Sequence, residues 1–422
     1  MSYLPLDQMA FRDGANLDAF GRLRVSNATQ LFGLAQEYSP HPLVWDNTQV
    51  GTGTVTHSTL TGSSTLTTGG NGAGARAMRQ TKIYYRYAPG KSQLVKQTGT
   101  LRKSGTASGA AFTALGYYDD DNGCFFRYQA SGVSVVVRSN TSGSPVDDSI
   151  LQSGWNLDTL DGNGPSGIAV DWTKEQIFII DLQWLGVGRV RFGLDIAGVL
   201  VYCHEFLHAN ETTAPYMRTA NLPLRSEAFN SGGAGSNVSA QIICSSLESE
   251  GGPQEGDFYP FAYPAYLSPY TIDSTLRPIV TRRMRDTFNG LKARGHAHLS
   301  DFQMLVGTND VYWEIRYNAS VVIGGGGSAT TNLVDATYSQ SEYDTYTGSA
   351  NTVSGGVVML SGFARAGSGS TKEVATLKND SAESLLLLGR TYANVRDSYT
   401  LCARSISGNA NVSVAVDLME QY

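Results

Sequence analysis

The chain is poor in charge: only 16% of its 422 residues are Asp, Glu, Lys or Arg, against about 25% in ordinary soluble domains. Long exposed helices draw on those residues, so a helical bundle is disfavoured. The net charge of −6 provides no basic stripe for nucleic acid. One basic cluster exists (Arg282, Arg283, Arg285, Lys292 and Arg294), and a solvated face or a subunit contact is its favoured reading. The four cysteines, Cys124, Cys203, Cys244 and Cys402, form no CxxC pair. Buried free thiols are expected rather than a disulfide framework. No apolar run reaches the ~20 residues of a membrane span, and the longest candidate, 177–203, is broken by Asp181, Arg189, Arg191 and Asp195. Met1-Ser2-Tyr3-Leu4-Pro5 lacks the basic and apolar regions of a signal peptide, so folding in a cytoplasm is expected.

What is abundant is apolar material (41%) and glycine (47 residues), which together favour short strands joined by tight turns. Residues 1–50 read as an arm, with scattered apolar positions around one compact motif, Asp18-Ala19-Phe20-Gly21-Arg22-Leu23-Arg24-Val25-Ser26. Leu23 and Val25 alternate there with Arg22, Arg24 and Ser26, the period of a half-buried strand, and such an arm is expected to dock on a neighbouring subunit. From 51 to 250 about ten strand patterns follow one another, among them 82–87, 93–100, 111–118, 124–129, 168–171, 176–184, 187–194 and 199–207. No helical pattern alternates with them, so the expected architecture is a β-sandwich. A Pro- and aromatic-rich stretch over 251–270 is expected as an extended linker. Residues 271–422 are expected as a second β-rich, sandwich-like domain, with strands near 311–323, 354–363, 384–388, 399–404 and 412–418.

Each chemical motif competes with a structural reading. His204-Glu205-Phe206-Leu207-His208 is a literal HExxH, but zinc proteases need that spacing on a helix. Val199-Leu200-Val201-Tyr202-Cys203 before it favours a strand, on which the two imidazoles sit about 13 Å apart. Gly90-Lys91-Ser92 lacks the first glycine of a phosphate loop. Two acidic turns, Asp119-Asp120-Asp121-Asn122 and Asp158 through Asp161 to Asn163, carry the oxygen donors that Ca²⁺ requires. Asp and Asn beside Gly equally suit hairpin turns, and the turn reading is favoured for both. No metal or other cofactor is assigned. Trp155, Trp172 and Trp184 would suit a sugar-stacking platform, with sandwich core as the favoured alternative. With no GxSxG elbow and no close Glu pair on one strand, no enzyme is expected.

Two stretches carry a family resemblance. Asp18 to Ser26 resembles an N-terminal signature of tailed-bacteriophage structural proteins. The second stretch, 155–225, contains Trp155-Asn156-Leu157-Asp158, Asp171-Trp172-Thr173-Lys174, Asp181-Leu182-Gln183-Trp184 and Asn221-Leu222-Pro223-Leu224-Arg225. It resembles the concanavalin-like jelly roll of phage fibre and virion proteins. The resemblance implies an all-β fold of N-terminal arm (1–50), lectin-like jelly-roll sandwich (51–250), linker (251–270) and C-terminal β-domain (271–422). It further implies a homotrimeric virion structural protein, fibre-like or tail- or neck-associated, folded in the host bacterial cytoplasm and bound to other virion proteins. Asp18, Phe20, Gly21, Arg22, Leu23, Arg24 and Val25 would be the particle-docking residues. The alternatives are a capsid decoration (cement) protein and a host-glycan receptor-binding module recognising surface polysaccharide. Nucleic acid and membrane are not among the expected partners.

Overall fold

A computed structural model describes residues 17–24, 27–70, 72–232, 235–251, 257–259, 262–263, 269–348, 350–367 and 387–421. The chain is all-β, and its sheets are antiparallel. It divides into two compact units, residues 1–80 with 87–253 and residues 81–86 with 254–422.

The first unit contains β1 (Thr29–Ala35), β2 (Trp45–Val50), β3 (Thr54–Ser58), β4 (Ser63–Thr67), β5 (Arg76–Thr81), β6 (Gln93–Ser104), β7 (Ala111–Tyr118) and β8 (Gly123–Gln129). It continues with β9 (Gly132–Ser139), β10 (Val146–Leu151), β11 (Gln176–Leu182), β12 (Val190–Ile196), β13 (Val199–Phe206), β14 (Leu224–Asn230) and β15 (Ser239–Ser249). One sheet runs β13-β12-β11-β6-β15-β4-β3, with β1 also on β15, and the other runs β10-β9-β8-β7-β14-β5-β2. They face each other as a jelly-roll-like, lectin-like sandwich. Phe126 on β8 reaches across to Phe178 on β11 and Phe192 on β12, with ring centroids 5.1 and 5.3 Å apart. Because side chains alternate across a strand, this core fixes which residues of each strand point inward.

The second unit is also a two-sheet arrangement. Ala410–Gln421 pairs along one side with His296–Val306 and along the other, in turn, with Asp257–Tyr259, Ala262–Tyr263 and Tyr270–Ile272. Opposite lies a sheet of 328–333, 341–347, 277–284, 398–405, 311–317 and 357–364. Phe302 and Trp313 meet between the two sheets with centroids 4.7 Å apart.

Several expectations change. Residues 29–35 and 45–50 are sandwich strands rather than an arm, because polar-rich segments still pair through the backbone, the first with β15 and the second at the edge of the smaller sheet beside β5. Residues 82–87 are no strand of the first sandwich, and 81–86 belong to the second unit. Residues 168–171 make only the bridge Asp161–Ala169, the chain turning at Asp171 through its side-chain bond to Thr173 N–H (2.9 Å). The expected linker supplies the short strands 257–259 and 262–263. The strand expected over 311–323 breaks at Asn318, which adopts φ 55°, a conformation Asn tolerates. Of the strand expected over 384–388, residues 384–386 lie outside the described residues.

Candidate functional site

The Asp18–Arg24 motif folds as a tight clasp. Leu17 and Leu23 form an antiparallel bridge. The turn between them closes through Asp18 N–H to Arg22 O (2.8 Å) and Gly21 N–H to Asp18 O (2.9 Å). Gly21 takes φ 76°, where a side chain would be strained. Asp18 is buried; its Oδ1 accepts the N–H groups of Phe20 (2.9 Å) and Arg22 (2.8 Å), and its Oδ2 accepts Arg22 Nε (2.8 Å). One carboxylate thus replaces the backbone partners that a free hairpin of this length lacks.

The clasp lies on the outer face of the larger sheet of its own sandwich. Ile180 faces the core, so Asp181 faces out, yet it is fully buried because the clasp covers it. Asp181 Oδ2 receives Arg24 Nη2 (2.5 Å), Arg191 Nη2 (2.5 Å) and Tyr202 Oη–H (2.8 Å), and Oδ1 receives Ser92 Oγ–H (2.9 Å). Arg191 also donates to Leu17 O (2.7 Å), Arg189 to Ala19 O (3.1 Å), and Arg24 Nη1 to Glu250 (2.7 Å). Burial opposes the charge of Arg24, but Asp181 outweighs it and the guanidinium pKa is raised. Burial, then the Asp181 charge, raises the Tyr202 phenol, which therefore stays a donor. The residues expected to dock on a neighbour are thus engaged within their own chain, except at the rim. There the Arg22 side chain remains 53% exposed over the Phe20 ring (4.6 Å), and Leu23 is 44% exposed. Val25 lies outside the described residues.

A second constellation covers the outer face of the smaller sheet. Tyr118 and Phe125 stack at 4.3 Å, and Phe112 meets Phe229 edge-on at 5.6 Å. Guanidinium groups lie over these rings: Arg225 on Tyr118 (5.1 Å), Arg138 on Phe125 (5.1 Å) and Arg76 on Phe229 (5.0 Å). Carboxylates interleave with them. Asp120 pairs with Arg225 (2.6 Å) and Arg76 (3.0 Å), Asp147 with Arg127 and Arg138 (both 2.7 Å), and Glu227 with Arg76 (2.7 Å) while accepting Tyr118 Oη–H (3.0 Å). Burial would raise the Asp120 and Asp147 carboxyls, but their arginines prevail and both are lowered. Tyr118 and Phe125 are themselves buried beneath these side chains, so what this face offers a polar ligand is its charged rim, where Asp120 and Asp147 keep part of their surface in solvent.

The acidic turns are spent on themselves and on this face. Asp119 Oδ1 accepts Asp121 N–H and Asn122 N–H (both 2.8 Å), and Asp121 faces Arg218 (3.6 Å). Asn122 Oδ1 receives Arg218 N–H (3.0 Å). Asp158 accepts Leu160 N–H (2.8 Å) and Ser166 N–H (2.7 Å); Asp161 accepts Thr159 Oγ1–H (2.7 Å) and Asn163 N–H (2.9 Å). These are turn-closing bonds, and the two loops are not brought into one site by any of them. Among the described residues, no group of three His, Cys, Asp or Glu is placed to hold a metal ion.

The HExxH segment begins on β13, which ends at Phe206, rather than on a helix. His204 Nδ1 accepts Asn156 N–H (3.1 Å), and His208 stacks on Tyr216 at 4.0 Å. Trp155 and Trp172 pack edge-on at 6.0 Å, and Trp184 Nε1 donates to Met217 O (3.0 Å), so these rings serve packing. In the basic cluster Arg282 is buried and Arg283 pairs with Glu342 (2.7 Å), so neither is a solvated charge. Among the described residues no helix is long and apolar enough to cross a membrane.

No family model matches the chain, and no curated protein does. Among solved structures, it is similar to an endo-1,3-β-glucanase from Streptomyces sioyaensis (10% identity, 53% of this chain and 97% of that one, TM-score 0.33). It is similar to a legume lectin-like domain from Entamoeba histolytica (11%, 54% and 100%, TM-score 0.29). It is also similar to a carbohydrate esterase from the Shiga toxin-encoding bacteriophage phi24B (12%, 53% and 100%, TM-score 0.32).

Proposed function

We propose that the chain is a bacteriophage virion structural protein, fibre-like or tail- or neck-associated, and that it works as a homotrimer. The observation that carries this reading is the clasp. The stretch that resembles a virion-protein signature is a folded element held by a buried carboxylate hub, and it leaves one edge, Phe20-Gly21-Arg22-Leu23, at the surface. That edge is the proposed contact with neighbouring virion proteins. Low charge and strand-built units suit broad, rigid subunit contacts. Cryo-electron microscopy of intact particles tests the reading. Density at the tail or neck in small multiples of three supports it, whereas density spread over the capsid lattice makes the chain a cement protein. Absence from purified particles removes the virion role altogether.

A second reading, host-glycan recognition, is favoured by the arginine–carboxylate rim around Asp120, Arg76 and Asp147, which lies over the buried Tyr118 and Phe125 rings. Binding without turnover is proposed, because arginines hold Asp120 and Asp147 ionised and neither is poised as a general acid. Host surface polysaccharide should bind the wild-type chain and be weakened about tenfold by Asp120→Ala. Release of reducing ends on incubation would instead make the protein a depolymerase.

A further inference from the structure

Three arginines of the first unit are 1% exposed or less: Arg79, Arg191 and Arg225. Arg191 is matched by Asp181 and Arg225 by Asp120, each through a direct ion pair. Arg79 differs. Its Nη1 donates to Asn47 Oδ1 (2.9 Å), its Nη2 to Pro40 O (2.6 Å), and its guanidinium lies 4.7 Å from the centre of the Trp45 ring. Among the described residues no carboxylate pairs with it. A buried cation without a counter-charge is costly, and burial pushes Arg79 down to about 9.

The location narrows what could supply the missing charge. Ala77 packs inward against Leu66 and Ile242 of the opposite sheet, so Arg79, two residues on, also projects between the sheets. It does so at the edge formed by β2 and β3, the terminal strands of the two sheets. Among the described residues, four buried nitrogens in this corner have no hydrogen-bond partner: Arg79 Nε, Trp45 Nε1, and Nδ1 and Nε2 of His57. His41, in the β1–β2 connection, stands within electrostatic reach of both Arg79 and His57. Buried donors are ordinarily paired. A corner that concentrates unpaired donors around an uncompensated guanidinium has the chemistry of an anion site.

We propose that this corner binds an oxyanion, with Arg79 supplying the charge and Trp45 Nε1 and the His57 ring supplying further hydrogen bonds. The class includes free inorganic anions and the carboxylate of an acidic sugar. The site would exist whether or not the chain belongs to a particle, so its failure leaves the virion reading untouched. The test is thermal unfolding of the full chain with increasing sodium acetate, sodium glucuronate or sodium phosphate, with sodium chloride holding ionic strength constant. A ligand of the folded state raises Tm with its concentration. The expected result is such a rise for at least one oxyanion, lost in Arg79→Met. Trp45→Phe keeps the ring beneath the guanidinium but deletes Nε1, and His57→Ala removes the imidazole. Each should weaken the apparent affinity about tenfold, and they carry the test if Arg79→Met does not fold. Glucuronate acting at lower concentration than acetate and phosphate assigns an acidic sugar, and phosphate acting first assigns a free anion. No rise beyond the chloride control, or the same rise in all three variants, overturns the proposal.

Discussion

Asp181 is the residue on which the clasp depends. It is fully buried and takes hydrogen bonds from Arg24, Arg191, Tyr202 and Ser92. Asp181→Asn removes the carboxylate charge that the buried Arg191 pairs with, which should cost about 3–5 kcal/mol. Arg24→Ala removes only the more exposed partner (19%) and should cost about 1–2 kcal/mol. Urea unfolding of the two variants separates the cases; equal losses would mean that Asp181 is no hub. His204 gives a second test. Burial lowers it to about 4, and its Nδ1 already accepts a backbone N–H, so protonation there breaks a bond. Between that value and the unfolded pKa of about 6.5 the unfolded chain binds more protons. Stability is therefore complete above about pH 6.5 and falls as pH drops toward 4, by roughly 1–2 kcal/mol after allowance for solvent screening. In His204→Gln the same acid limb, followed as urea midpoint against pH, should be shallower by that amount. In the sequence, Arg191 is visible as an interruption of an apolar run, and Asp181 as that and as part of the stretch resembling a jelly roll, neither of which reveals their pairing. Their pairing needed the β11–β12 register, and their burial needed a segment more than 150 residues away.

At the scale of elements, the strands that announce themselves are those with a large inward-facing payload. Expected positions near β7, β8, β11, β12 and β13 all correspond to observed strands, because Phe, Ile and Val alternate or cluster there. β1, β2 and β4 escape that pattern: TQLFGLA and WDNTQV bury one side chain each, and SSTLT buries mostly serines, so all three hold position through backbone pairing more than through apolar alternation. The alternation read in the motif predicts a half-buried strand with Leu23 inward, whereas Leu23 is 44% exposed and Arg24 turns in to the buried Asp181, because alternation cannot reveal which surface a short hairpin covers. Its attachment in cis is testable. Asp18→Ala deletes the acceptor for two backbone N–H groups and for Arg22 Nε. The loss, about 1–3 kcal/mol, falls locally, so the clasp should open while the sandwich persists. Limited trypsin digestion should cut the variant after Arg22 or Arg24 at least about tenfold faster than the wild type, with little change in the main thermal transition. Unchanged cleavage would show that the clasp does not depend on its carboxylate.

The second unit is not one continuous stretch of chain, and this is the feature least accessible to sequence reading. A boundary placed in the Pro- and aromatic-rich stretch is reasonable from composition, yet the second unit also takes 81–86 from the midst of the first unit's strands. That hexapeptide contributes Ile83, Tyr84 and Tyr85, all buried. It also supplies bonds to the rest of that unit: Lys82 O accepts Arg390 N–H (3.0 Å), Lys82 Nζ faces Asp397 (3.5 Å), and Tyr84 O lies 3.2 Å from His296 Nδ1. Gly389 sits so close that a Cβ there would lie 2.6 Å from Lys82 O, a spacing that only a segment fitted to glycine permits. A fragment of residues 254–422 therefore lacks part of its own core. Exposing large apolar side chains and orphaning buried polar groups should each cost about 1–3 kcal/mol, and together they approach the whole stability of a domain of this size. The fragment alone should show no cooperative thermal transition, and the same fragment with 81–86 fused through a flexible linker should regain one. If 254–422 melts cooperatively by itself, the inserted segment is an accessory to the second unit rather than a part of its core.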